Sequence, residues 1–487
     1  MKILSDILYQ ARILEVAGST NVAVEHVEMD SRAVKPFSLF VAVRGTNVDG
    51  HDYIDQAVAK GAVAIVCEKI PTNLPSSVVA VKVQNSAQSL GHIAANFYDN
   101  PSEKLKIVAI TGTNGKTTTA TLLHSLFRKM GKKTGLLSTV QNVIIDKVQP
   151  STHTTPNAIE LNRLFREMLD KDCTHCFIEA SSHAIHQHRI TGTNFAGAVF
   201  TNISHDHLDY HSTFNEYIKA KKALFDELPS DSFALVNNDD SHAETMLHDT
   251  KAKHRSYGLK TMADYRAKVL ESRLTGLHLN IAGKELFSPI IGYFNASNLL
   301  AVYAVAMEMG LDQMDTLTYI STLTAVEGRF QHISTPGNVT AVVDYAHTPD
   351  ALQNVLKTIN SIRTGNEQVI TVVGCGGDRD VTKRPLMAQI ATELSSQVIL
   401  TSDNPRSEEP DAIIEDMKKG LDPVAISKTI TLADRAEAIK LACTLAKTGD
   451  IVLVAGKGHE KYQEIKGVKH TFDDMETVST HLKMLQK

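Results

Sequence analysis

The sequence predicts an α/β architecture with largely parallel sheets, divided among several domains, on three observations. Strand-like apolar runs alternate with helix-spaced ones along nearly the whole chain, the rhythm of strand–helix–strand units. At 487 residues the chain is too long for one hydrophobic core, so two to four domains are expected. Its 43% apolar and 22% charged residues are the mix of an ordinary globular protein, so those runs are read as core-forming elements.

Taken in order, SLFVAV (38–43) reads as a strand, YIDQAVAKGA (53–62) as a helix ending on glycine, and VAIVCE (63–68) as a strand again. The polar break YDNPSEK (98–104) closes this unit, giving a small first domain over 1–99. A second unit, 100–332, opens with a strand at Lys106–Ile110. A helix follows whose apolar face is Leu122, Leu123, Leu126, Phe127 and Met130, with Gly131 as its stop. The strands CFIEAS (176–181) and AGAVFTNIS (196–204) and the helix-prone stretch 214–228 continue it, and it ends near GRFQHISTPGN (328–338). The third unit, 333–487, runs through VTAVVDYAH (339–347), QVITVVGCGG (368–377), QVILTSDNP (397–405) and DIVLVAGKG (450–458). No short-period repeat or low-complexity tract interrupts these units.

Charge and cysteine use exclude several classes. Fifty Lys and Arg against 55 Asp and Glu give a net charge of −5, which offers no general footprint for nucleic acid or anionic lipid. No run approaches a membrane span, and the start of the chain lacks a basic segment followed by an apolar one, so a cytoplasmic protein is expected. Cys67, Cys173, Cys176, Cys375 and Cys443 are too few and too scattered for a disulfide framework. Cys173 and Cys176 form a lone CxxC leading into CFIEA, which reads as the start of a buried strand.

The stretch VAITGTNGKTTTATLLHSLF (108–127) has the parts of a phosphate-binding loop: a strand, glycines that let backbone N–H groups face an anion, and a helix whose N-terminus favours negative charge. The usual Gly-x4-Gly-Lys-Ser/Thr pattern would place glycine at 110, where Ile stands; the turn glycine is Gly112. Lys116 is placed to reach the β- and γ-phosphates, and Thr117 to ligate Mg²⁺. Such a site also needs a carboxylate at a neighbouring strand end, and Glu179 is the candidate. TNISHDHLDYH (201–211) gathers His205, His207 and His211 around Asp206 and Asp209, and taken alone reads equally as a metal site or as a polar loop.

With TGTNGKTT, EASSH, TNISHDHLDYH, YIKAKKALF, FNASN, EGR, DYAHTPD, GCGGDRD, DNPR and GKGHE present in this order from about Met29 to Glu464, the chain resembles the Mur ligase family. These are the ATP-dependent amide-forming enzymes of peptidoglycan precursor synthesis, whose loop also lacks the first glycine. The resemblance implies a three-domain Mur ligase architecture: a small N-terminal α/β domain that binds the uridine nucleotide, a central P-loop ATPase-like domain and a C-terminal Rossmann-like domain that binds the amino acid. It implies ATP as co-substrate, Mg²⁺ as cofactor, and a monomer. It further implies that Gly112, Thr113, Asn114, Gly115, Lys116, Thr117 and Thr118 hold the phosphates. Asn295, Asn298, Arg329, Asp344 and His347 complete the ATP site, and Glu179 and His207, with Thr117, hold Mg²⁺. Lys221 matches the family's carbamylated lysine (N6-carboxylysine), an anionic oxygen ligand for a second Mg²⁺; Lys116, Glu179, His207 and Lys221 are thus the catalytic set.

Substrate choice within the family is also implied. Ser31, in DSR, resembles the uridine-nucleotide anchor of the member adding the third peptide residue. Thr154, Thr155, Ser181, Gln187 and Arg189 match contacts to UDP-N-acetylmuramoyl-L-alanyl-D-glutamate, and His153 stands where some members have Asn. DNPR, Asp403, Asn404, Pro405 and Arg406, is the form found where meso-diaminopimelate is the incoming amino acid, with Arg384, Gly456 and Glu460 around it. The physical reason is that diaminopimelate carries a second carboxylate, which a guanidinium clamps bidentately and lysine lacks. Two other readings are a nucleotide switch, against which no NKxD guanine-reading motif is present, and a folylpolyglutamate synthetase, which should lack the uridine-site and DNPR features. GCGGDRD and GKGHE lack the third glycine of a dinucleotide fingerprint, Arg379 and Lys461 standing there.

Overall fold

The computed structural model describes residues 1–45, 48–151, 153–204, 210–335, 337 and 339–487. Three large sheets follow one another along the chain. The first has the order Ile13–Ala17, Val79–Val83, Ala62–Cys67, Ser38–Val41, His26–Glu28, parallel throughout except for its first pair. Both faces of the three inner strands are covered, which is why they read as continuous apolar runs, while the edge strand Ile13–Ala17 is exposed. Leu39, Val41, Ala64 and Val66 face Leu90 and Ile93 of the helix Ser86–Phe97, while Phe40, Ile65 and Cys67 face Ile54 and Ala57 of the helix Ile54–Ala59.

The middle sheet has eleven strands. Its centre is parallel, as expected: Thr134–Leu137, His175–Glu179, Lys106–Thr111, Gly197–Phe200, Phe233–Asn237 and Lys253–Gly258 lie side by side. Both edges depart from that expectation. Gln141–Ile144 and Lys147–Pro150 form an antiparallel hairpin on one side, and Tyr265–Arg273, Gly276–Ile281 and Lys284–Ser288 an antiparallel meander on the other. The connections are too short for a crossover helix, so the chain can only reverse. Ala282 and Gly283, both at positive φ, make one two-residue reversal, and Leu274 with Thr275 and Ile145 with Asp146 make two more.

The helix Lys116–Lys129 stops where the sequence places it, with Gly131 in the left-handed region at φ 76°. Its Leu122, Leu123, Leu126 and Phe127 share a core with Leu299 and Val302 of the helix Tyr293–Glu308. The third sheet runs Gln331–Ser334, Thr340–Asp344, Ile451–Ala455, Val369–Val373, Gln397–Leu400, Thr429–Thr431, parallel except for its first strand. Ligands of open parallel sheets bind beyond the carboxyl ends of the strands. Gly112, Glu179 and Thr201 sit there in the middle sheet, and Asp344, Asp403 and Gly456 in the third. All five cysteines are buried free thiols, Cys176 within the strand His175–Glu179.

Candidate active site

The loop Gly112–Gly115 leaves the central strand of the middle sheet and caps the helix Lys116–Lys129, with Gly115 left-handed at φ 86°. A Cβ on Gly112 would run into Thr201 Oγ1, and one on Gly115 would lie 2.6 Å from Asn298 Oδ1, so the backbone approaches as only glycine allows. The neighbouring strand end clamps the loop. Asn202 accepts the Thr113 amide on its carbonyl at 2.8 Å and the Asn114 amide on Oδ1 at 2.9 Å, and Thr201 Oγ1 donates to the Asn114 carbonyl at 2.6 Å. Lys116 curls back, donating to the carbonyls of Gly112 and Thr113 at 2.9 and 2.8 Å. Thr118 is buried on the first turn of the same helix.

Glu179 closes its strand opposite Ile110 and is fully buried. Its carboxylate accepts from Thr117 Oγ1 at 3.0 Å, the Thr139 amide at 2.7 Å and Thr139 Oγ1 at 3.2 Å. None of these donors carries a charge, and no cationic side chain pairs with Glu179 among the described residues. An uncompensated buried carboxylate is costly, so the position calls for a cation. A carboxylate ringed by threonine hydroxyls is an all-oxygen donor set, and that suits Mg²⁺.

Lys221 is 1% exposed on the helix Phe214–Asp226, donating from Nζ to the Gly112 carbonyl at 2.9 Å and lying 4.5 Å from the centroid of the Tyr217 ring. The helix lysine is therefore turned onto the phosphate loop and not into solvent. His207, with His205, Asp206 and Asp209, lies outside the described residues, as does Thr152; no cluster of three or more His, Cys, Asp or Glu groups suited to a metal occurs among those described. Asn295 and Asn298 sit one turn apart at the start of the helix Tyr293–Glu308, joined by a 2.9 Å bond from Asn298 Nδ2 to Asn295 Oδ1.

Residues from the join with the third sheet enter the same region. Arg329 donates to Thr117 Oγ1 at 3.1 Å and stacks its guanidinium 4.4 Å from the Tyr345 ring. Asp344 accepts the Phe330 and Ala346 amides at 2.6 and 2.7 Å; burial pushes its carboxyl above the usual carboxylate range, against the pull of Arg329 and those amides. His347 follows on the same segment, its Nδ1 3.0 Å from the Tyr345 carbonyl. Among the described residues Arg329 Nε and His459 Nδ1 are buried without a hydrogen-bond partner, polar atoms that a bound group would satisfy. Burial, with Arg329, His347 and Lys457 adding, pushes His459 down to about 3, so it stands there as neutral imidazole.

Five residues expected to meet the sugar-linked peptide gather beside Glu179. Thr155 Oγ1 donates to the Glu179 carbonyl at 2.7 Å, Thr154 Oγ1 accepts from Thr139 at 3.1 Å, and Ser181 caps the short helix Ser182–His186 through the Ala184 amide. Gln187 Nε2 donates to the Tyr210 hydroxyl at 3.0 Å. Arg189 donates to Gln187 Oε1 at 2.7 Å and to the Thr155 carbonyl at 2.9 Å, and meets no carboxylate among the described residues. Among the described residues the site thus holds a carboxylate without a cation and a guanidinium without an anion. Ser31 lies in the first sheet's unit, buried and donating to Gln56 Oε1 at 2.7 Å.

At the third sheet, Asp403, Asn404 and Pro405 lead into Arg406, whose backbone is left-handed at φ 52° and is held by the strand Tyr462–Ile465 and the residue after it. Its N–H donates to the Glu464 carbonyl at 3.1 Å, and its own carbonyl accepts the Lys466 amide at 2.6 Å. Arg406 Nη1 donates to the Gly377 carbonyl at 2.6 Å, and its Nε lies 3.9 Å from Glu464. Gly456, at φ 118°, has no room for a Cβ beside Asp403 Oδ2. Arg384 is 1% exposed, its guanidinium paired with Glu408 and Asp416 at 2.8 Å each. Glu460 Oε2 accepts from Asn404 Nδ2 at 2.8 Å.

Four residues at this site escaped the sequence reading. Thr139, on Glu179, carries no motif. Asp350 accepts from Asn114 Nδ2 at 2.8 Å and Ser204 Oγ at 3.1 Å, which ties the helix Pro349–Ile362 to the phosphate loop. Asn202 clamps that loop and Lys457 lies under Glu460. Asp350, Asn202 and Lys457 each stand inside a motif already recognised, so the signal was present but unassigned.

Comparison with known proteins extends over nearly the whole chain. The sequence matches "Mur ligase family, catalytic domain" over 23–98, "Mur ligase middle domain" over 110–306 and "Mur ligase, glutamate ligase domain" over 328–458. It is 53% identical to the UDP-N-acetylmuramoyl-L-alanyl-D-glutamate–2,6-diaminopimelate ligase of Cytophaga hutchinsonii, across 99% of this chain and 100% of that protein. The protein of the same name from Parabacteroides distasonis is 54% identical across 94% of each chain. Among solved structures, one of a ligase of that name superposes with a TM-score of 0.71 at 33% identity, covering 99% of both chains. A Mycobacterium tuberculosis folylpolyglutamate synthase with ADP and AMPPCP shares the fold at 17% identity, TM-score 0.62, over 76% of this chain and 93% of its own. Among the described residues no helix is long and apolar enough to cross a membrane.

Proposed function

The chain belongs to the Mur ligase family, and on that premise we propose how its residues carry out the reaction for which its relatives are named. It is an ATP-dependent amide-bond-forming ligase that joins diaminopimelate to UDP-N-acetylmuramoyl-L-alanyl-D-glutamate in peptidoglycan precursor synthesis. The meso isomer is the amino acid that the DNPR segment suits. A free carboxylate is a poor acyl donor, because its leaving group would be oxide. The γ-phosphoryl group of ATP therefore passes to an oxygen of the peptide's terminal carboxylate, giving ADP and an acyl phosphate. The amine of diaminopimelate attacks the carbonyl carbon through a tetrahedral intermediate, inorganic phosphate leaves, and the amine gives up one proton.

The single observation that carries this reading is the pair of unmatched charges. Among the described residues Arg189 meets no anion and Glu179 no cation; Thr155 joins the two, and Glu179 in turn meets Thr117 at the end of the phosphate loop. Arg189 is placed to bind the dipeptide's carboxyl end, with Thr154 and Ser181 donating around it and Thr155 holding the guanidinium on its carbonyl. The loop Gly112–Thr118 receives the phosphates through the amides at the start of its helix, Gly115–Thr118, and the Lys116 side chain. The Thr113 and Asn114 amides stay on Asn202 and shape the loop. Positioning and charge neutralisation carry most of phosphoryl-transfer catalysis. Thr117 and Glu179 would hold Mg²⁺, which when bound neutralises charge on the phosphate oxygens. His207 is assigned to the same ion by family pattern alone. Lys221, turned onto the loop, is the position for carbamylation, which would replace an ammonium with anionic oxygens. Arg329, His347, Asp344, Asn295 and Asn298 line the nucleotide, and Arg406 clamps the distal carboxylate of diaminopimelate. Domain limits of 1–99, 100–332 and 333–487, a monomeric state and a cytoplasmic location complete the proposal.

The test is an amino-acid panel with the UDP-linked dipeptide, scored by phosphate release. Release should require both dipeptide and amino acid, with meso-diaminopimelate far ahead of L-lysine. Release without an amino acid, or lysine matching diaminopimelate, would overturn the reading.

A further inference from the structure

We propose that Lys457 is a positioning residue for the incoming amino acid: its buried ammonium fixes the Glu460 carboxylate and the Asn404 amide, so that one Glu460 oxygen stays open for a substrate ammonium. The inference rests on the reading of this region as the amino-acid site. Lys457 is 0% exposed, in a turn flanked by two left-handed glycines, Gly456 at φ 118° and Gly458 at φ 54°. Both glycines are wedged: a Cβ on Gly456 would strike Asp403 Oδ2, and one on Gly458 would lie 2.7 Å from the Gly328 carbonyl. The turn therefore cannot slide, and it drives the lysine side chain inward.

A fully buried lysine is rare and needs partners. The hydrogen bonds from Nζ go to two side chains, Asn404 Oδ1 at 2.8 Å and Glu460 Oε2 at 3.1 Å. A lysine that only braced the turn would satisfy itself on nearby carbonyls, as Lys116 does on Gly112 and Thr113. Asn404 Oδ1 also accepts the Glu464 amide at 2.9 Å, so the two donors settle which way the amide faces. Its Nδ2 must then point at Glu460, and does so at 2.8 Å to the same Oε2 that Lys457 binds. Glu460 Oε2 is thus saturated, while Oε1 has no partner among the described residues. Held by two bonds on one side, the carboxylate presents its other oxygen in a single direction. The neighbouring Arg406, backbone-locked on the following strand, supplies the complementary charge for a carboxylate. A zwitterion with two charged ends matches this arrangement; a simple amine does not.

The test uses the full-length enzyme and steady-state kinetics with all three substrates varied. Lys457→Met keeps the volume and removes the ammonium. The KM for diaminopimelate should rise about 30-fold, as expected for loss of charge-assisted orientation, with the KM values for ATP and the UDP-linked dipeptide within about twofold of wild type. If Met is not tolerated in the fold, Lys457→Gln keeps a donor and should show the same split, smaller in size. The second readout compares diaminopimelate with 2-aminopimelate, which lacks one ammonium, as competitors in binding. The variant should lose most of the preference for the former. An unchanged or lowered KM for diaminopimelate, or equal rises for all three substrates, would overturn the proposal. The reading of the region itself is tested separately, because wild-type enzyme that does not use diaminopimelate would refute that reading whatever the variant does.

Discussion

Replacing Arg406 by Ala separates recognition of the amino acid from every other part of the reaction. Arg406 Nη1 already donates to Gly377 and its Nε faces Glu464 at 3.9 Å, so the rest of the fork is what remains for a substrate carboxylate. Truncation leaves that carboxylate desolvated without its charge partner, a loss of about 2–5 kcal/mol for a charged pair. The side chain is 25% exposed, so water partly compensates and a value near 3 kcal/mol is expected, roughly 150-fold in kcat/KM. The left-handed backbone at φ 52° is equally strained with Ala, so the fold term nearly cancels. The assay is phosphate release with diaminopimelate and L-lysine as alternative substrates and ATP varied separately. Diaminopimelate should fall to the level of lysine, while lysine and the KM for ATP barely move. A Gly376→Ala variant makes the same point with the charge kept, since its Cβ would lie 3.0 Å from Arg406 Nη1 and push the fork aside. If Arg406→Ala uses diaminopimelate within threefold of wild type, or loses both amino acids equally, the clamp is not there.

Glu179→Gln removes the charge from an intact ring of threonine donors, and should lower ligase activity by at least about 100-fold and raise the Mg²⁺ concentration for half-maximal rate. An unchanged Mg²⁺ titration would place the ion elsewhere. Lys221→Ala should abolish activity, with partial recovery on adding a short carboxylic acid such as acetate; near-wild-type activity would show that no carbamate is required. Burial holds His124 and His175 down to about 4, so the folded protein keeps them neutral where the unfolded chain takes up protons near 6.5. The unfolded state then binds more protons between about pH 4 and 6.5, and stability should fall as pH drops through that window. Denaturant midpoints at pH 7.5 and 5.5 measure it. His124→Gln should reduce the difference by about 1 kcal/mol, and a pH-independent midpoint refutes the assignment.

The three-layer rhythm of each unit was legible because it depends on neighbours a few residues apart. Continuous apolar runs for the strands, a glycine after the helix at 131 and glycines in the loop at 112 and 115 are all short-range requirements. The antiparallel edges of the middle sheet were less visible. Ala282–Gly283 is a two-residue turn, but a strand in a hairpin and a strand before a crossover look alike until the connection closes.

By itself, the sequence determined the order of strands, phosphate loop and acids, and the kinds of chemical group delivered to each strand end, since backbone geometry and residue type are local properties. Only the tertiary structure decided which of those groups remain available to a ligand. Arg384 reads as a substrate contact, yet its guanidinium is paired with Glu408 and Asp416; Asn114 reads as part of the loop, yet its amide is tied to Asp350, 236 residues away. Lys457 reads as one letter of a glycine-rich turn, yet it sets the direction of Glu460. The physical reason is that a hydrogen-bonding or charged group has a fixed capacity, and how much of it is already taken depends on partners the fold brings together from anywhere along the chain.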